Sequence, residues 1–257
     1  MTERKSEAEI PPLIDDPIEL AEAEAANALE QFDWAMSEVQ RWLSAEAPVL
    51  KVSMLLRLHR TAMEGIDRYA GNFRPASVEI KGSGHKPISI DDVPRYVEEM
   101  LEYITDNWET KSAIHLSSYA MWRLNWIHPF ADGNGRTSRI LSYMVLCGHL
   151  GQILPGIKTI PEQISENKKP YYDALEDADK KFKKGSIDTS AMEQLIEKSL
   201  GNQLAHMYDK AKGETPQVVA DTRQTKQPNM LKAIEAHPAI FGGIMLIIVT
   251  LLGIIFG

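Results

Sequence analysis

The chain has 257 residues, 44% apolar and 25% charged, an ordinary globular composition with enough length for a sizeable core. Its net charge of −8 argues against nucleic acid as the main partner, because phosphate backbones require a basic face. One cysteine, Cys147, excludes an internal disulfide framework, and its apolar setting beside Leu146 marks it as an inert buried thiol.

Residues 1–16 carry charge, Pro11 and Pro12 and little periodicity, so they read as a flexible arm. From Asp16 the pattern turns helical, with Pro17 in the first turn. Leu20, Ala23, Leu29, Phe32, Met36, Val39 and Trp42 fall on one apolar face. A second helix is expected from about Pro48 to Glu64, with Leu50, Met54, Leu55, Leu58 and Met63 inward. Gly71 and Pro75 break the pattern. Ser77 to Ile90 alternates apolar and polar around Gly82-Ser83-Gly84, which predicts a short hairpin.

Asp91 or Asp92 is placed to cap the next helix, which carries Val97, Met100, Leu101 and Ile104. Further helices are expected over Lys111–Asn125, Gly135–Leu150, Pro161–Lys183 and Thr189–Lys212. Lys180, Lys181, Lys183 and Lys184 read as a solvated helix end. The body, 17–212, is therefore expected to be all-α with one small β-hairpin.

Residues 213–237 are polar and read as a linker. Residues 238–257 read as a transmembrane helix. From Ala239 to Gly257 no residue is charged, and Thr250 supplies the only hydroxyl. As a helix this stretch spans about 28 Å, close to the hydrocarbon thickness of a bilayer. Lys226 and Lys232 precede it, favouring a single-pass C-terminal anchor with the body on the cytoplasmic side. Gly253 and Gly257 form a G-x-x-x-G pair, a helix-pairing pattern compatible with a homodimer.

The chemistry concentrates between two predicted helices, in His128-Pro129-Phe130-Ala131-Asp132-Gly133-Asn134-Gly135-Arg136-Thr137-Ser138-Arg139. A glycine-rich turn opening a helix directs unpaired N–H groups and the positive dipole end outward, which suits an anion. Arg136 and Arg139 lie three apart on one side of the first turns, and their planar donors match phosphate oxygens. Asp132 is suited to a hard cation such as Mg²⁺ bridging phosphates. His128 is suited to taking a proton from a hydroxyl near neutral pH. Together these parts suit transfer of a phosphate-containing group.

This stretch resembles the Fic (filamentation induced by cAMP) family signature H-P-F-x-D-G-N-G-R-x-x-R, with nine fixed identities in twelve positions. The wider resemblance runs roughly from Leu20 to Leu204. It takes in His59, Ala70-Gly71-Asn72-Phe73-Arg74, the following hairpin, and Tyr171 to Asp179.

The resemblance implies an all-α Fic fold with a β-hairpin flap, and an enzyme moving AMP from ATP to a Tyr, Thr or Ser hydroxyl of a target protein. On that reading His128 is the base and Asp132 binds Mg²⁺. Gly133, Asn134 and Gly135 form the anion hole, Arg136 and Arg139 grip the outer phosphates, and Phe130 anchors the loop in the core. The hairpin over 77–90 holds the target by strand addition. A different nucleotide donor, removal of AMP, or a non-catalytic membrane-tethered nucleotide-binding scaffold are the competing readings. Many relatives carry an inhibitory S/T-x-x-x-E-G/N helix. The nearest match here, Ala26 to Gln31, makes Glu30 the candidate inhibitory glutamate.

Overall fold

The computed structural model describes residues 5–7, 13–45, 48–156 and 158–211. Helix α1 (Pro17–Ala45) starts where Asp16 caps it, its carboxylate accepting from the N–H groups of Ile18 and Glu19 at 2.8 and 2.9 Å. Its buried stripe is Gln31, Ala35, Val39 and Trp42. Leu29, expected inward, is 71% exposed, because it stands two residues and about 200° round the helix from Gln31. The Gln31 amide donates to Leu58 O at 3.0 Å and ties α1 to α2 (Val52–Met63).

Strand β2 (Glu79–Lys81) pairs with β1 (Lys5–Glu7), and no hairpin forms over 77–90. The turn itself is present, with Gly82 at φ 72° and Ser83 N–H donating to Ile80 O. The return leg fails for a physical reason. Pro87 has no N–H, the Ile88 carbonyl is taken by Arg74, and His85 turns inward onto Trp126 O. The arm read as flexible thus supplies the pairing strand.

A 3-10 turn over Ile90–Asp92 leads into α3 (Val93–Asp106). Asp92 sits at the expected cap position, but its carboxylate accepts from Arg95 at 2.9 Å and makes no cap bond. Helix α4 (Ala113–Ile127), capped by Ser112, is the centre of the molecule: only His115, Asn125 and Trp126 fall short of burial. It packs along α5 (Asn134–His149), buried continuously from Ile140 to Cys147. Burial pushes the Cys147 thiol up to about 12, so it stays an inert SH group.

The helix expected over 161–183 is two helices, α6 (Ile160–Glu166) and α7 (Lys168–Phe182). The Pro170 ring would clash with the Glu166 carbonyl in a continuous helix, and Asn167 leaves helical geometry at φ −135°, ψ 85°. Thr159 and Glu162 close a reciprocal capping box on α6. The lysine end of α7 is solvated as expected, with Lys180 and Lys181 paired to Glu176 and Asp177. Helix α8 (Ser190–Ala211) completes the described body. Among the described residues no helix is long and apolar enough to cross a membrane; the linker 213–237 and the expected span 238–257 lie outside them.

Two helical glycines discriminate packing from propensity. A Cβ on Gly148 would meet the Trp42 ring at 2.9 Å, whereas one on Gly201 meets nothing within 4 Å. Gly201→Ala should raise stability by about 0.5–1 kcal/mol. Gly148→Ala should lower it by about 1 kcal/mol despite the better helix former, because the overpacking term is larger. Urea midpoints of the two variants should therefore move in opposite directions.

Candidate active site

Helix α4 ends at His128, which adopts left-handed geometry at φ 54°, ψ 57°; among the described residues it is the one non-glycine with positive φ. Such a position costs on the order of 1 kcal/mol and persists only where its surroundings enforce it. Several contacts do so. The His128 N–H donates to Leu124 O, and the His128 carbonyl accepts from Arg74 Nε at 2.9 Å. His128 is 6% exposed, and its Nδ1 lies 3.3 Å from Asn125 O. A carbonyl can only accept, so Nδ1 carries the proton and Nε2 is the basic nitrogen.

The loop after His128 folds onto itself. Asn134 Oδ1 accepts from Phe130 N–H at 3.0 Å, and Asn134 Nδ2 donates back to Phe130 O at 2.9 Å. The Asn134 side chain is thus a brace across the loop, and any anion contact from this residue falls to its backbone amide. Phe130 is fully buried, its ring stacked on His59 with centroids 3.7 Å apart and planes 1° from parallel. Gly133 begins α5 at φ 75°, and a Cβ there would meet Met63 Sδ at 2.7 Å, so only glycine fits this close approach.

His59 and Arg74 support this loop from outside it. His59 Nδ1 accepts from Gly71 N–H at 3.0 Å, so its Nε2–H donates to Asp132 O, also at 3.0 Å. Burial lowers the His59 pKa to about 4, outweighing the Asp132 contacts that raise it. Arg74 is buried without an acidic partner among its hydrogen bonds. Besides His128 O it donates to Ala76 O at 3.0 Å and Ile88 O at 2.5 Å, while its own N–H reaches Pro129 O at 2.8 Å. Desolvation lowers its pKa. Both ends of the β2 segment are thereby pinned to the His128 turn, with His85 adding a bond to Trp126 O at 2.7 Å.

The charged groups assemble at the start of α5. Asp132 is exposed; one oxygen accepts from Gly133 N–H at 2.7 Å and the other lies 3.6 Å from Arg136. Arg136 also pairs with Glu24 of α1 at 3.2 Å. Arg139 lies beside Tyr171 and Tyr172, and burial lowers its pKa while those tyrosines oppose the shift. Ser138 links Asn125 Nδ2 at 2.7 Å to the Tyr171 hydroxyl at 3.3 Å, joining α4, α5 and α7 behind the arginines. Glu30 lies exposed on α1 and forms no ion pair with either arginine among the described residues; Glu24, six residues earlier, is the α1 carboxylate that reaches the site.

Among the described residues no cluster of three acidic, histidine or cysteine side chains is arranged to hold a metal. Asp132 alone suits Mg²⁺, which commonly takes one or two carboxylates and completes its shell with phosphates and water.

Residues 49–146 match the Fic/DOC family model. The chain carries a Fic/DOC family domain. Over 135 residues, half of this chain, it is 31% identical to the protein adenylyltransferase Fic of Drosophila persimilis and equally to that of Drosophila melanogaster. The chain spans only 26% of the length of those relatives. The fold is similar to that of a Fic family protein from Desulfovibrio desulfuricans, with TM-score 0.57 and 18% identity over 86% of this chain and 65% of that one. Fic-1 from C. elegans is also similar, with TM-score 0.53 and 23% identity over 77% and 55%. The Fic-type fold here is mostly helical, with β2 in place of a hairpin.

His59 gives this site an acid-sensitive brace. Between pH 6.5 and about 4 the unfolded chain protonates this imidazole and the folded chain does not. Stability therefore falls as pH drops through that window, by up to about 3 kcal/mol from this group, and returns on raising the pH. Urea unfolding should be steeper in pH between 4 and 6.5 for the native chain than for His59→Gln. Parallel curves would remove His59 from the account.

Proposed function

We propose that the chain is a protein adenylyltransferase, moving AMP from ATP to a Tyr, Thr or Ser hydroxyl of another protein. The observation that carries this reading is the His128 turn. A base with Nδ1 committed to Asn125 O stands at the head of a loop leading directly into a helix start flanked by Asp132 and Arg136.

His128 Nε2 accepts the proton of the target hydroxyl as that oxygen bonds to the α-phosphorus. The bond between the α-phosphorus and the bridging oxygen breaks, and pyrophosphate leaves with that electron pair. The first amides of α5, which lack intrahelical carbonyls, would hold phosphate oxygens. Arg136 and Arg139 would hold the outer phosphates, with Glu24 giving way at Arg136. Asp132 would hold Mg²⁺, whose charge offsets that developing on the leaving group. The rigid backing of the loop by Asn134, His59 and Arg74 fixes the base before substrate arrives.

Full-length chain incubated with ATP labelled at the α-phosphate and a cell extract should label discrete protein bands. His128→Ala should lower that rate by about a hundredfold or more, the range expected for losing a general base. Undiminished labelling by the variant would overturn the assignment, and labelling obtained only when the ATP is labelled at the γ-phosphate instead would point to phosphorylation.

The uncharged stretch over 238–257 supports a second part of the reading, a membrane anchor holding the body at the cytoplasmic face. The full chain should float with liposomes in a density gradient, whereas residues 1–232 should stay at the bottom. Equal distribution of the two would sink the anchor.

A further inference from the structure

In a continuing helix the Asn125 carbonyl would accept from the N–H of residue 129. That residue is Pro129, which has no N–H, so the carbonyl loses its helical donor at the end of α4. His128 Nδ1–H takes its place. The Asn125 side chain is spent in two directions. Its Nδ2 donates to Met121 O on its own helix and to Ser138 Oγ on α5, both at 2.7 Å. The residue that orients the proposed base is itself tied across to α5.

Ser138 is fully buried, and its one hydroxyl proton goes to Gly135 O at 3.1 Å. Its oxygen therefore accepts from Asn125 Nδ2 and from the Tyr171 hydroxyl, 3.3 Å away on α7. With its proton committed there, the Tyr171 oxygen is the acceptor for Arg139, which can only donate. Arg139 Nη1 lies 3.3 Å from where a Cβ on Gly135 would stand, so the guanidinium is held back against the first turn of α5. Among the described residues Arg139 makes no ion pair with a carboxylate, whereas Arg136 has Glu24 and Asp132.

We propose that Ser138 Oγ joins the base and the outer-phosphate arginine in one frame, with Asn125 the positioning residue for His128 and Tyr171 the positioning residue for Arg139. Neither is asked to touch substrate; each fixes a group that would. In-line transfer sets the attacking oxygen and the leaving pyrophosphate on opposite sides of the α-phosphorus. Base and outer-phosphate clamp must therefore keep a fixed separation. One buried hydroxyl that accepts from both supports supplies it, across α4, α5 and α7. The roles of His128 and Arg139 rest on the adenylyltransferase reading; the order of donors and acceptors does not.

The test uses the full-length chain, with calorimetric titration of ATP and of AMP, and transfer of label from α-labelled ATP in a cell extract. AMP lacks the outer phosphates that Arg139 would grip. A hydrogen bond to a charged group is worth about tenfold in affinity, so Tyr171→Phe should weaken ATP by that factor and leave AMP within about twofold. Ser138→Ala should weaken ATP by no more than this, and adding it to Tyr171→Phe should cost nothing further, because both cut one path. Transfer separates the two ends. Saturating ATP should restore the native rate to Tyr171→Phe, whereas Ser138→Ala should stay about tenfold slow, because its loss also releases Asn125. ATP affinity indifferent to Tyr171→Phe, equal weakening of ATP and AMP, additive losses in the double variant, or a Ser138→Ala rate fully restored by ATP overturns the relay. The expected binding pattern in a chain that transfers no label supports the arginine end and removes the enzymatic reading alone.

Discussion

A buried guanidinium without a carboxylate is the constraint on which the site depends. Arg74 spends its donors on three carbonyls, His128, Ala76 and Ile88, that lie far apart in sequence. Burying an unpaired cation is costly, so the arrangement persists only because those dipoles converge on it. In return one side chain fixes the left-handed turn at His128 and both roots of the β2 segment. The His128 turn and the β2 segment therefore share a single support.

A second support works from below. His59 spans Gly71 and Asp132 while its ring lies flat on Phe130, so the loop between α4 and α5 is held through both backbone and aromatic core. Keeping this imidazole neutral is what lets one nitrogen accept and the other donate. Protonation would leave Gly71 N–H facing a second donor. The site thus has two histidines of different kinds: His59 is structural and held neutral by burial, while His128 keeps Nε2 as its basic nitrogen.

Much of this was legible in the residues. Twelve consecutive positions carry an imidazole, a carboxylate, glycines and arginines; in the structure Asp132 and Arg136 meet at the start of α5, while Arg139 lies deeper beside Tyr171 and Tyr172. Helices α4 and α5 follow from their apolar runs. What the pattern missed depends on long-range partners. Arg74 reads as one charged residue before a proline until its carbonyls are seen. Gly82-Ser83-Gly84 signals a turn, but the turn chemistry does not reveal that Arg74 and His85 draw the return leg away from pairing. Pro170 was the available sign that one long helix had to be two. Glu24 sits in an alternating Ala-Glu run that offers no local reason to prefer it over Glu30.

The measurement closest to the central claim is amide hydrogen exchange on the native chain and Arg74→Met. If one guanidinium supports both structures, Phe130, Gly133 and residues 79–81 should lose protection together, by about tenfold or more, while the middle of α4 stays protected. Loosening confined to 79–81, with Phe130 and Gly133 unchanged, would contradict a shared support and leave the His128 turn held by other means.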